Sequence, residues 1–269
     1  MNKYVGFLGA GSMAEALIAG IVKSEIIPKN KIIVTNRSNQ GRLKRLEQNY
    51  GVITTDDKKE LIKKADILFL CAKPYDIQDS IVAIREYLRP DQLLISVAAG
   101  VETKNIEYWT GLEIPVIRAM PNTSAQVGCS ATAIAAGNFV SDKHMEEAMD
   151  LLNTIGTTTI IEEEDMHVAT AIAGSGPAFI YYMVEAMQKA AEEFGLDSKT
   201  SANLLTQTVV GSGKMLRESG DSPEQLRKKI TSPNGTTEAG IKTLDSYYFE
   251  KIMKESIKNA KQRSIELGQ

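Results

Sequence analysis

Up to about residue 160 the chain alternates short apolar runs with helical stretches. Residues 4–8, 31–35, 66–71, 93–97 and 114–118 are nearly unbroken apolar runs. That is the pattern of parallel strands covered on both faces, since a strand with one wet face alternates apolar and polar positions. Between the first two runs, Met13, Ala16, Leu17, Gly20 and Ile21 recur at helical spacing. Residues 130–135 and 157–161 add two more strands. Strand–helix alternation at this spacing predicts a doubly wound α/β sheet.

After Glu162-Glu163-Glu164-Asp165 the strand signal stops. Ile180, Met183, Val184, Met187, Ala191 and Phe194 follow a 3.6-residue period, and Gly195 is a natural stop. Residues 200–217 and 246–267 read as further helices. The change of period divides the chain into a domain over residues 1–162 and an all-α domain over residues 163–269. Several of these helices are apolar on more than one face. So small a helical domain cannot bury that surface alone, which predicts packing against a second copy.

Composition narrows the chemistry. Of 269 residues, 43% are hydrophobic, and 31 basic side chains face 34 acidic ones, for a formal net charge of -3. No basic excess points to nucleic acid, and no run is long enough to span a membrane. A strand pattern from Tyr4 leaves no room for a signal peptide, so the expected compartment is the cytoplasm. Two cysteines (Cys71, Cys129) and two histidines (His144, His167) stand at no metal-ligand spacing. His144 reads as part of a solvated helix start. His167 reads as a capping or surface residue, with the acids before it favouring the helix N-terminus.

The most informative segment follows the first strand. Gly9-Ala10-Gly11-Ser12-Met13-Ala14 is G-x-G-x-x-A opening a helix. Gly9 permits the tight turn, Gly11 lets backbone approach a pyrophosphate, and Ala14 lets the helix sit close to the strand. A bare glycine triplet also suits an ordinary turn; the strand before and the helix after select a dinucleotide. The second strand ends Thr35-Asn36-Arg37-Ser38, without the acid that accepts from an NAD ribose. Arg37, with Asn36 and Ser38, suits a 2′-phosphate instead, favouring NADPH while leaving NADH admissible.

Other segments leave more open. Cys71-Ala72-Lys73-Pro74 ends the third apolar run, at the sheet edge where ligands bind. Lys73 there is either a cofactor neighbour or an exposed strand-end lysine, and Cys71 reads as a small buried hydrophobe rather than a nucleophile. Ala98 and Ala99 lie at another such edge. Gly174-Ser175-Gly176-Pro177 and Thr231-Ser232-Pro233-Asn234-Gly235-Thr236-Thr237 each precede a helix and offer hydroxyls and free N–H groups to a carboxylate. Plain capping and turn chemistry explains both equally well. Gly211-Ser212-Gly213-Lys214 fails as a phosphate loop, because Thr208 and Met215 occupy its outer positions.

Taken in order, these segments, with Arg118-Ala119-Met120-Pro121-Asn122-Thr123, resemble the pyrroline-5-carboxylate reductase family along nearly the whole chain. The most specific is the stretch from Thr231 to Gly240. The resemblance implies a Rossmann-type doubly wound sheet followed by an all-α C-terminal dimerisation domain. It implies NAD(P)H-dependent reduction of L-1-pyrroline-5-carboxylate to L-proline, the last step of proline biosynthesis, in a homodimer that some members extend to a decamer. It further implies cofactor contacts from Gly9, Ala10, Gly11, Ser12, Met13, Asn36, Arg37, Ser38, Ala72, Lys73, Pro74, Ala98, Ala99 and Met120. Substrate contacts fall to Ser175, Gly176, Ser232, Gly235, Thr236 and Thr237, with Thr237 placed at the ring nitrogen. Two departures stand out. Pro233-Asn234-Gly235 replaces the usual Pro-Gly-Gly, and Asn tolerates the left-handed turn; Cys71-Ala72-Lys73-Pro74 replaces a more usual Ala-Val-Lys-Pro. A non-catalytic NADP sensor, or a β-hydroxyacid-dehydrogenase-like reductase relying on Lys189, are the alternatives. Fold alone does not separate them.

Overall fold

A computed structural model describes residues 1–37 and 39–268; Ser38, one of the expected phosphate contacts, lies outside the described residues. One sheet carries β1 (Val5–Leu8), β2 (Ile32–Thr35), β3 (Ile53–Thr54), β4 (Ile67–Leu70), β5 (Leu93–Ser96), β6 (Val116–Met120), β7 (Ser130–Ala136) and β8 (Gly156–Ile160). Their order is β3-β2-β1-β4-β5-β6-β7-β8. The first six strands are parallel; β7 runs antiparallel to β6, and β8 parallel to β7.

The unbroken apolar runs have a direct structural cause. In β1, Val5 and Phe7 join one buried layer, while Leu8 joins the other. In β4, Ile67 and Phe69 point to the first layer, Leu68 and Leu70 to the second. Phe7 and Phe69 stack with centroids 4.8 Å apart. Helices α1 (Ser12–Lys23), α2 (Gln40–Tyr50) and α6 (Asp142–Leu152) contribute to the first layer. Helices α3 (Lys58–Lys64), α4 (Ile77–Val82) and α5 (Thr103–Thr110) contribute to the second. Strands dry on both faces are apolar at nearly every position.

The remaining helices are α7 (Met166–Ala169), α8 (Gly176–Glu193), α9 (Ser198–Glu218), α10 (Pro223–Lys229), α11 (Thr236–Ser246) and α12 (Phe249–Glu266). Between α7 and α8, residues Thr170–Gly174 form a π-turn. Four elements differ from expectation. The helix expected over 246–267 starts three residues late, at Phe249, because Tyr248 adopts φ 58° and separates α11 from α12. The sixth strand starts two residues late, since Pro115 has no N–H to give a ladder; only its carbonyl accepts, from Leu94 N. The two-residue β3 and the two-turn α10 were too short for any period to reveal.

Chain contacts divide the molecule into two compact units. The first comprises Met1–Pro177 and the chain from Lys258 onward; the second is Ala178–Ile257. Among the described residues of the second unit, only Ser201 is buried. Its expected apolar stripe is exposed: Ile180, Met183 and Met187 are each close to half exposed, and Phe194 is 85% exposed.

Candidate active site

Strand order reverses between β1 and β4, the switch point where open α/β sheets bind ligands. A cleft of about 690 Å³ opens there, within the size range of cofactor sites. The glycine loop forms its floor. Gly9 has φ 112°, and a Cβ there would stand 2.7 Å from the Cys71 carbonyl oxygen, so only glycine fits. Gly11 is different: a Cβ there would meet nothing within 4 Å. The protein itself does not demand glycine at 11, so the open space is room for a ligand. Gly11 also caps α1 without a side chain to bond the first-turn N–H groups, which leaves them directed at an anion. The residues present therefore fit a dinucleotide.

Arg42 fixes this loop from behind. Its Nε donates to the Ala10 carbonyl at 2.8 Å, and its Nη2 pairs with Glu15 on α1. Tyr50 donates to the same carboxylate at 3.4 Å; burial, then the Glu15 charge, push its phenol above the ordinary value. At the far end of the cleft, Asn36 and Arg37 are joined by Arg45 and Lys58. Arg37 is 83% exposed and 3.8 Å from Asp76, so it is a loosely held cation. Three cations around an acid-free strand end suit a 2′-phosphate. Lys73 sits across the cleft with Nζ 5.6 Å from the Tyr75 ring centroid, and its hydrogen bond to that phenol raises the ammonium above the ordinary lysine value. Burial pushes the Cys71 thiol up to about 12, in keeping with a packing role.

The cleft thus gathers Gly9, Ala10, Gly11, Ser12, Asn36, Arg37, Ala72 and Lys73. Met13 packs on the core, Pro74 opens a 3-10 turn, Ala98 is buried, and Ala99 is half-buried; none of these lines the cleft. Met120 lies against Gly174 instead, where an added Cβ would be 3.1 Å from its Cε. Arg42, Arg45, Lys58 and Tyr75 escaped the sequence reading. The i, i+3 spacing of Arg42 and Arg45 on α2 was the one available signal.

The two expected carboxylate cradles belong to different units. Ser175 N donates to Thr170 O at 3.0 Å, closing the π-turn just before Gly176 starts α8. In the 231–237 loop, Asn234 takes φ 58°, the left-handed conformation expected of it. Gly235 N donates to Ser232 O at 3.0 Å, and Glu238 accepts from Asn234 N at 3.0 Å. Gly235 caps α11 with no side-chain hydrogen bond. The hydroxyls of Ser232, Thr236 and Thr237 are therefore not taken up in capping, and the α11 N-terminus is open to an anion.

The histidines settle elsewhere. His144 completes a capping box, its Nδ1 accepting from Ser141 N at 3.2 Å. His167 is half-buried with Nδ1 3.0 Å from Ser264 Oγ. The acidic run does more than favour a helix end: Glu163 receives Arg118 Nη1 at 2.7 Å and Thr103 Oγ1 at 3.3 Å. Lys189 is exposed and pairs with Glu185 one turn back. No group of three metal-ligating side chains occurs among the described residues, and no helix there is long and apolar enough to cross a membrane.

Residues 163–267 match the family model for pyrroline-5-carboxylate reductase dimerisation, and residues 4–100 that for NADP oxidoreductase, coenzyme F420-dependent. A Bacillus subtilis protein named pyrroline-5-carboxylate reductase 2 is 46% identical over 98% of this chain and 95% of its own length. The chain belongs to the pyrroline-5-carboxylate reductase family. A Staphylococcus haemolyticus pyrroline-5-carboxylate reductase is 40% identical over 97% of both chains. Among solved structures, a pyrroline-5-carboxylate reductase from Coxiella burnetii superposes with a TM-score of 0.93 at 34% identity, covering all of both chains. A Plasmodium falciparum pyrroline carboxylate reductase with NADP bound gives 0.89 at 30%, over 100% of this chain and 99% of its own. A Mycobacterium tuberculosis 3-hydroxyisobutyrate dehydrogenase, at 14% identity and a TM-score of 0.53 over 77% of this chain and 71% of its own, shares the fold alone. This pyrroline-5-carboxylate reductase family chain is an oxidoreductase with a Rossmann sheet and a dimerisation domain.

Proposed function

We propose that this protein reduces L-1-pyrroline-5-carboxylate to L-proline with NADPH, as a homodimer in the cytoplasm, completing proline biosynthesis. The observation that carries the reading is the end-to-end match: relatives of that name cover both the cofactor half and the helical half of this chain. We place the boundary between those halves at residues 162 and 163.

A cyclic imine protonated on nitrogen is already electrophilic at C5, so the site needs no strong acid. NADPH, when bound, supplies the hydride from C4 of its nicotinamide. The chain's own task is to hold both partners near contact, which is where the rate gain arises. First-turn N–H groups of α1 take the pyrophosphate, and Arg37, with Asn36, takes the 2′-phosphate. Ser232, Gly235 and the α11 N-terminus take the substrate carboxylate, while the Thr237 hydroxyl orients the ring nitrogen. Ser175 and Gly176 complete the substrate contacts, and Ala72 and Lys73 face the cofactor across the cleft.

The test is the initial rate of NADPH oxidation with pyrroline-5-carboxylate, beside NADH and a blank without imine. Imine-dependent oxidation, faster with NADPH, is expected. Silence with both cofactors, in a protein that binds NADPH, overturns the reading in favour of a sensor. Thr237→Ala should cut kcat by about tenfold or more, the scale of one lost transition-state contact, with NADPH affinity nearly unchanged.

A further inference from the structure

Strand β6 and the two residues after it place Arg118, Met120 and Asn122 at alternate positions of extended backbone, so they share a face. Their contacts all fall on one segment, residues 163–174. Arg118 Nη1 donates to Glu163 Oε1 at 2.7 Å, at the segment's start. Met120 Cε lies where Gly174 has no side chain. Asn122 Nδ2 donates to the Ala173 carbonyl at 3.0 Å, at the end of the π-turn. The next residues are Ser175 and Gly176.

Both ends of the Asn122 side-chain amide are held. Its Oδ1 accepts from Ser124 N at 3.0 Å, and its own backbone N–H donates to Ser130 Oγ at 3.1 Å. It is 8% exposed. The carbonyl it holds belongs to a π-turn, an i→i+5 feature that recurs at functional sites. The α-helical partner of the half-buried Ala173 carbonyl would be residue 177, a proline without an N–H, so that carbonyl needs another donor. Here Asn122 is that donor. Arg118 is 1% exposed, and its Nε and Nη2 have no partner, so Glu163 is its hydrogen-bonded counter-charge. That pins the segment's other end.

We infer that Asn122 is a positioning residue for the imine site: by holding the Ala173 carbonyl it sets where Ser175 and Gly176 present themselves to substrate. This rests on the proposed reduction and on the substrate role given to those two residues. It assigns Asn122 no contact with cofactor or imine.

Asn122→Asp removes the donor but keeps the acceptor for Ser124 N. Asn122→Ser keeps a capping oxygen but cannot reach Ala173. Each is compared with the wild type and with Ile21→Ala, a core truncation on α1 far along the chain from this segment. Either Asn122 variant should raise the KM for pyrroline-5-carboxylate by about fivefold or more, while the KM for NADPH moves less than about twofold. Ile21→Ala should lower Tm and leave the imine KM alone. Hydrogen exchange provides a readout independent of turnover: the amides of residues 170–176 should exchange faster in the Asn122 variants than in the wild type. An unchanged imine KM with unchanged exchange overturns the inference. So does an equal rise in the two KM values, or an imine KM that Ile21→Ala raises as much. A wild type without imine reduction overturns the proposed function instead, and exchange at 170–176 then still decides whether Asn122 holds the turn.

Discussion

The two compact units solve the burial of apolar surface in opposite ways. In the sheet unit, Phe7, Leu17, Ile32, Ile67 and Phe69 are fully buried within one chain, and the two faces of the sheet are both covered. In the helical unit, Tyr182 is 74% exposed, Phe194 85% and Leu204 58%, with one small serine buried. A monomer rarely leaves so many large apolar side chains in water. The first unit is complete as a single chain; the second is half of something. Its helices carry the 231–237 loop, the proposed substrate loop, so whatever completes them also fixes that loop.

The sharpest way to break this comparison is to charge the exposed helical surface. Leu204→Glu should convert a dimer to a monomer by light scattering and reduce turnover by at least about tenfold, because an obligate dimer's stability is inseparable from its interface. NADPH affinity should stay within about twofold, since the cleft is built wholly from the sheet unit. A dimer that persists at full activity would show that the apolar surface has another purpose.

Within the sheet unit, the two glycines of the loop make a finer contrast. Gly9→Ala puts a Cβ 2.7 Å from a backbone carbonyl at φ 112°, so it should lower Tm and weaken NADPH binding together. Gly11→Ala meets only open space and should leave Tm unchanged while weakening NADPH binding by about tenfold or more. Thermal unfolding with and without NADPH separates the two. If Gly11→Ala bound NADPH normally, the open space above the loop would not be the phosphate site.

What the sequence revealed follows the same division. The glycine loop, the acid-free end of β2 and the left-handed Asn234 were legible because local backbone geometry dictates those residue types. Arg42, Arg45, Lys58 and Tyr75 were not, because they reach the cleft from elements that only the folded sheet brings together. Ala98 and Ala99 stand just past a strand end, as read, and Met120 closes β6, but a strand end has two faces. Sequence position alone does not say that Met120 turns to Gly174. Likewise the acids at 162–165 looked like helix-end charge until Arg118 was found buried against Glu163.

A charge reversal tests the cofactor end of the cleft. Arg37→Glu should raise the KM for NADPH by about tenfold or more, the scale of a lost charged hydrogen bond, and change that for NADH little. Equal effects on the two cofactors would move the 2′-phosphate to Arg45 and Lys58.

The smallest expected effect concerns how the sheet unit closes its own helix ends. His144 occupies the third helical position of α6 and accepts the Ser141 N–H through Nδ1, which requires the neutral ring. Burial, more than any neighbouring charge, holds its pKa below the ordinary histidine value. His167 is shifted the same way, by burial and then by Arg118. The unfolded chain therefore binds protons more readily than the folded one at both sites. Stability is fully present above the unfolded value near about 6.5 and declines as pH falls from there through the lower folded values. His144→Gln retains a capping-box acceptor that does not titrate. Its Tm should match the wild type at pH 8 and fall less steeply than the wild type toward pH 5, with a difference on the scale of one cap, about 1 kcal/mol. Parallel Tm–pH curves for the two proteins would mean that His144 contributes nothing to the slope, leaving His167, beside Arg118 and Glu163, as the histidine that senses acid.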